Sequence, residues 1–181
     1  RFVVFESPPD DSAVREELSR FYGEVQRMDR AMGRVLAALE ACDLDDNTLV
    51  IFTSDHGIGM PLAKGTLYDP GIKIPLIIRR PGSTAGGRRY DGLTSNVDLL
   101  PTVLEAVGAG ELIPDGIDGR SLWPVVTDNA HIDRKHVFAE QTWHDFYEPI
   151  RAIRTERYKL IRNFEPGNGW QVAADILQTR T

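Results

Sequence analysis

The sequence predicts an α/β fold, a mixed and mostly parallel sheet flanked by helices that gives way to a small antiparallel unit toward the C-terminus. Three observations carry this. Apolar residues at Val14, Leu18, Phe21, Val25, Met28, Met32, Val35 and Leu39 recur in steps of three and four, the period of one face of a long helix. The stretch Thr48-Leu49-Val50-Ile51-Phe52-Thr53 is β-branched or apolar throughout and stops at Ser54-Asp55-His56-Gly57, as a parallel strand buried on both faces would. Near residue 136 the alternation of helix and strand patterns changes to strand after strand.

Taken in order, Asp10-Asp11-Ser12 offers N-caps, and Glu16 and Glu17 place negative charge in the first turn of a helix over residues 12–41. Its apolar stripe is expected to pack on the sheet, with Glu17, Arg20, Glu24, Arg27, Arg30 and Arg34 on the wet face. Cys42, near the end of this pattern, reads as a small core residue. Residues 43–47 turn the chain into the first strand. Gly59, Pro61, Gly65, Pro70 and Gly71 then break residues 57–73 into a long irregular loop leaving that strand's carboxyl end, where open α/β sheets place their ligands.

Residues 74–79 form the next strand, with Pro75 at its start, where no ladder donor is needed. Residues 81–87 are a surface loop. Asn96-Val97-Asp98 begins a second helix that carries Leu99, Leu100, Val103, Leu104 and Val107, ends at Gly108 and tolerates Pro101 near its first turn. Residues 115–119 turn, and 122–126 pack as a short element. Residues 137–139 read as a strand, and 150–154 with 158–162 as an antiparallel hairpin around Thr155-Glu156-Arg157. The division falls at residue 135: 1–135 is the α/β portion and 136–181 begins an antiparallel subdomain.

At 181 residues the chain has length for one domain with a substantial core. A hydrophobic fraction of 41% and a charged fraction of 27% are those of a globular protein. No apolar run reaches the ~18 residues of a membrane span. The net charge of −6 gives no electrostatic reason to expect nucleic acid. Residues 150–181 nevertheless hold six Lys/Arg against three Asp/Glu, which would suit an anionic substrate or simply form an exposed hairpin face. The single Cys42 forbids an internal disulfide. The absence of an initiator Met and the stop soon after the hairpin suggest a fragment or processed product. Compartment and oligomeric state stay open.

Asp55 and His56 are the first candidates for chemistry. A hard oxygen donor beside an imidazole at a strand's carboxyl end is half of a metal site, or else a turn in which Asp caps the next amides. Lys64, in the loop leaving the same strand, is a compact positive charge suited to an oxyanion, or a solvated loop residue. His144 is a candidate substrate contact or proton donor to a leaving group, or a surface histidine beside Trp143. Arg151 would reach an acidic sugar or solvate a strand edge. His131 and His136 have no evident role.

Thr53-Ser54-Asp55-His56-Gly57, then 64–71 (Lys-Gly-Thr-Leu-Tyr-Asp-Pro-Gly) and Ile74-Pro75-Leu76-Ile77, resemble the signature of the sulfatases of the alkaline phosphatase superfamily. Residues 22–29 with 33–36, the helix start 95–102 and Asp118-Gly119-Arg120-Ser121-Leu122 follow in the same order. Residues 140–151, Glu-Gln-Thr-Trp-His-Asp-Phe-Tyr-Glu-Pro-Ile-Arg, resemble the distal active-site loop of the heparan N-sulfatase group. The resemblance implies an alkaline phosphatase-like fold and hydrolysis of sulfate esters or N-sulfates, with a sulfated sugar as substrate. It also implies Asp55 and His56 as ligands to a divalent cation, usually Ca2+, and Lys64 as the sulfate holder. Many members have Asn where His56 stands, and His suits relatives that cleave phosphonates or phosphodiesters with Mn2+.

Sulfatases make a formylglycine nucleophile from a Cys/Ser-x-Pro/Ala-x-Arg motif, and an earlier Asp pair completes their metal site. Neither occurs here: Cys42 is followed by Asp43-Leu44-Asp45-Asp46. The expectation is the C-terminal portion of a sulfatase-like hydrolase, inactive by itself. The alternatives are a phosphodiesterase or phosphonate hydrolase of the same superfamily, and a noncatalytic carbohydrate-binding or inert fragment.

Overall fold

The computed structural model describes residues 12–81 and 86–168, together with 172, 174 and 176. The N-caps read at Asp10 and Asp11 and most of the 81–87 loop lie outside them. Helix α1 spans Ser12–Ala41, as its periodicity requires. Glu16 and Glu17 pair with Arg20, and Glu24 with Arg27, along the expected wet face. The stripe itself is only partly covered. Val14 is buried, Leu18, Val25, Met32 and Leu39 are half-buried, and Phe21, Met28 and Val35 are exposed. A 3.6-residue period decides which side chains share a face, and says nothing about what covers it.

Cys42 is exposed, contrary to its reading as a core residue. Asp43 adopts a left-handed backbone (φ 55°) and ends the helix, with its N–H donating to Glu40 O (3.0 Å) and the Leu44 N–H to Leu39 O (2.9 Å). This pair of bonds is a Schellman cap, and it turns the chain outward at Cys42.

Strand β1 (Val50–Thr53) pairs with β2 (Leu76–Arg79) in the register Val50↔Arg79 to Thr53↔Leu76. The pairing is antiparallel, and the β1 residues are half-buried rather than buried on both faces. The parallel, doubly covered strand read from residues 48–57 is corrected here. An uninterrupted apolar run signals cover on both faces and carries no information about the direction of the neighbouring strand.

Between the two strands, the short helix α2 (Asp69–Ile72) carries Pro70 near its start, where a missing N–H costs nothing. A 3-10 turn at Asn96–Asp98 leads into α3 (Leu99–Ala106), whose Pro101 falls in the first turn among donors without intrahelical partners. Helix α4 (Trp123–Asp128) follows.

The C-terminal sheet has the order β3-β4-β5, built from Val137–Trp143, Tyr147–Arg154 and Lys159–Asn163, all antiparallel. Arg154 pairs with Lys159 across the predicted turn, where Thr155 N–H donates to Tyr158 O (2.8 Å) and Tyr158 N–H to Thr155 Oγ1 (3.0 Å). The first of its strands is longer than the three residues read from sequence. One face of this sheet packs on the loop before α2, with Leu67, Ile150 and Ala152 buried and Ile72, Ala139 and Ile161 against them. No helix among the described residues is long and apolar enough to cross a membrane.

Candidate active site

The chain leaving β1 is folded by its own short polar side chains. Thr53 Oγ1 donates to Pro75 O (2.9 Å), fastening the strand end, and Ser54 Oγ donates to His56 O (2.8 Å). Asp55 Oδ1 accepts the His56 backbone N–H at 3.0 Å, so the turn-capping geometry is present. The same carboxylate stays 88% exposed and outward-facing. His56 Nδ1 lies 2.7 Å from Gly57 O, which accepts only from a protonated nitrogen. In the neutral ring the lone pair is therefore on Nε2, 3.8 Å from Asp55 Oδ1. An outward carboxylate oxygen and an imidazole nitrogen at that separation can share one cation.

Residues 57–71 form a closed loop. Gly57 N–H donates to Gly71 O (2.8 Å) at its neck, and Lys64 N–H donates to Ile58 O (3.2 Å) across it. Ala63 and Leu67 are buried inside. Both neck glycines are forced by close approach. A Cβ on Gly57 would lie 1.7 Å from Pro70 O, and one on Gly71 would lie 2.2 Å from Ala63 O, contacts that only backbone movement could relieve. The loop thus holds half-buried Lys64 on the same segment as His56.

The loop is clamped to the C-terminal sheet by an ionic network that no local pattern announced. Asp69 at the start of α2 accepts Arg154 Nη1 on both oxygens (2.9 and 2.8 Å) and pairs with Lys159 Nζ (2.5 Å), which also donates to Leu67 O (2.9 Å). Partial burial pushes the Asp69 pKa up, but hydrogen bonds from Lys159 and Arg154 outweigh it and leave the carboxyl below its ordinary value. A depressed folded-state pKa stabilises above the ordinary carboxylate range and loses that contribution as pH falls through the depressed value. Urea melts between pH 6 and 3 should therefore show the stability gap between wild type and Asp69→Asn shrinking on acidification. Its size at neutral pH should be about 1 kcal/mol, because the side chain is 43% exposed and screened. A gap that widens on acidification would contradict this assignment.

The remaining sequence candidates lie on the C-terminal sheet. His144, between β3 and β4, is 44% exposed with Nδ1 3.5 Å from Asp145 Oδ2, and its N–H donates to Phe146 O (3.3 Å). Arg151 is engaged within the sheet: Nη1 donates to Gln141 O (2.8 Å) and Ile150 O (2.9 Å), Nη2 to Thr142 Oγ1 (2.9 Å), and Nε pairs with Glu140 (3.0 Å). Among the described residues neither side chain is bonded to Asp55 or His56. No cluster of three or more His, Cys, Asp or Glu capable of holding a metal occurs among them either.

Sequence reasoning missed two groups. Asp98 proves to be a fully buried hub, and Ser95-Asn96-Val97-Asp98 was its available signal, since the spacing is that of a capping box and both of its bonds form. Asp69 had no such signal, since Arg154 is 85 residues away.

Comparison with known proteins identifies the family of this chain. Residues 3–109 match the family described as Sulfatase, and residues 59–177 the family described as N-sulphoglucosamine sulphohydrolase, C-terminal. An ulvan-active sulfatase of Formosa agariphila is 31% identical over 92% of this chain and 27% of its own length. The human N-sulphoglucosamine sulphohydrolase is 32% identical over 86% of this chain and 32% of its own. The solved structure of a candidate sulfatase from Bacteroides fragilis superposes with a TM-score of 0.75 at 25% identity, covering 87% of this chain and 36% of that one. The chain spans between a quarter and a third of the length of these curated relatives. Its α/β architecture is accordingly that of the alkaline phosphatase-like sulfatases, and the chain belongs to the sulfatase family.

Proposed function

We propose that this chain supplies the distal side of a sulfatase active site, acting on a sulfate ester or N-sulfate of a sugar. In this reading residues 1–135 belong to the α/β portion and 136–181 begin the antiparallel subdomain. The observation that carries it is the Asp55 and His56 pair, whose outward carboxylate and Nε2 lone pair lie 3.8 Å apart beside the loop holding Lys64. These two donors fit a divalent cation, Ca2+ or Mn2+, although two protein ligands alone are too few for tight binding. When bound, such an ion supplies Lewis-acid stabilisation of an oxyanion.

The chain's own residues do the rest. Lys64 offers an ammonium to a sulfate oxygen, and the closed loop restricts where it reaches. His144 hands a proton to the departing oxygen or nitrogen. Arg151, with its donors already shared among Glu140, Gln141, Ile150 and Thr142, orders the strand pair that carries the substrate side. The formylglycine nucleophile lies outside these 181 residues, so the chain alone turns over no aryl sulfate. Calorimetric titration of the full-length protein with Ca2+ and Mn2+ tests the metal assignment. Asp55→Asn should weaken binding ~10-fold or more, and unchanged affinity would remove Asp55 from the ligand set.

A second reading has one observation in its favour. The nitrogen donor at His56, where oxygen is the harder choice, suits Mn2+ and phosphoryl substrates. A preference for Mn2+ with phosphate diesters over Ca2+ with sulfate esters in the full-length protein would select it.

A further inference from the structure

The inner face of the C-terminal sheet does more than bury Leu67. Between it and the Lys64 loop lies a cavity of about 370 Å3, within the range of small-molecule sites. Thr66, Tyr68, Glu148 and Asn163 bring polar atoms to its wall, and Leu67 and Ile150 form part of an apolar floor. Gly65, the residue after Lys64 in the sequence, also lines it.

Glu148 is unlike the other acidic groups nearby. Asp69 is paired with Arg154 and Lys159, and Glu140 with Arg151. Among the described residues Glu148 meets only the Gln141 amide, at 3.4 Å, and no cation pairs with it. Burial alone raises its pKa. Its placement comes from the backbone. Gln141 pairs with Ile150 and Trp143 with Tyr147, so Glu148 and Pro149 together oppose the single residue Thr142. Such a bulge re-aims a side chain, and bulges concentrate beside functional sites.

An ionised carboxylate accepts hydrogen bonds and donates none. Beside an apolar floor it favours hydroxyl or ammonium donors, while a second anion would meet a like charge. An apolar floor with acceptors at the rim matches a sugar ring, which has C–H faces and hydroxyl edges.

Resting on the function proposed above, we propose that this cavity is a subsite for a sugar residue without an anionic substituent, and that Glu148 determines this specificity. Two probes that differ by one carboxylate test it: methyl glucoside and methyl glucuronide, titrated into the 15N-labelled full-length protein while the amides of Thr66, Glu148 and Asn163 are followed. The glucoside should shift them saturably in the millimolar range, and the glucuronide should bind at least ~10-fold more weakly. Glu148→Gln keeps the shape and removes the charge, and should bring the two probes within about threefold. The proposal is overturned if the glucoside produces no saturable shift, if wild type binds both probes equally, or if Glu148→Gln leaves the gap unchanged. The wild-type comparison decides even if the variant misfolds. Inorganic sulfate, followed at His56 and Lys64, reports separately on the function proposed above, so loss of the sulfate response with sugar binding intact would refute that reading alone.

Discussion

Replacing Asp98 with alanine should destabilise the protein by about 3–5 kcal/mol, the cost of breaking a buried charge pair from one side. Asp98 is 0% exposed, and its carboxylate accepts the N–H of Ser95 (2.8 Å), the N–H of Arg120 (2.8 Å) and the guanidinium of Arg134. Its carbonyl accepts Thr102 Oγ1 (2.5 Å), and Thr102 Oγ1 in turn accepts the Leu122 N–H (2.8 Å). One residue thus ties the start of α3 to the turn before α4 and to the segment ahead of β3. Removing it strands Arg134, whose side chain is 8% exposed and whose Nε has no partner among the described residues. Urea denaturation should show the midpoint falling with the slope unchanged. Asp98→Ala combined with Arg134→Leu should cost less than the two single losses summed, because the second change removes the stranded charge. A loss below about 1 kcal/mol for Asp98→Ala would mean that the hub is not holding these segments.

The largest effect on activity is expected at Lys64. In the full-length protein Lys64→Ala should lower kcat/KM toward a sulfate ester by about 10²–10³, the range for losing one preorganised charge aimed at a developing oxyanion. Lys64→Arg should recover part of it, since the charge returns in a different shape. Lys73, exposed just after α2, is the control whose alanine variant should stay near wild type. Placement makes the effect large. Lys64 sits in a loop closed by the Gly57 and Gly71 neck and clamped through Asp69, so the backbone that carries it is held in place. Equal activity of Lys64→Ala and Lys73→Ala would end the assignment of Lys64 to the sulfate.

The features legible in the sequence were those that local chemistry decides. A 3.6-residue period sustained over 30 residues predicted α1, and apolar residues interleaved with Arg and Lys on either side of a three-residue turn predicted the hairpin of β4 and β5. The segment Asp55-His56-Gly57 with Lys64 marked the candidate site, because its residues lie on one loop and their spacing is visible without a fold. Contacts across the chain were invisible. The direction in which β2 meets β1, the exposure of Cys42, the Asp69 clamp to Arg154 and Lys159, and the Asp98 link to Arg134 depend on which distant segments approach. By itself the sequence determined α1, α3, the β4–β5 hairpin and the choice of candidate ligands, since those follow from residue types at fixed spacing. Only the tertiary structure decided strand direction, burial and the partner of each charge, because those energies arise between residues that the sequence holds tens of positions apart.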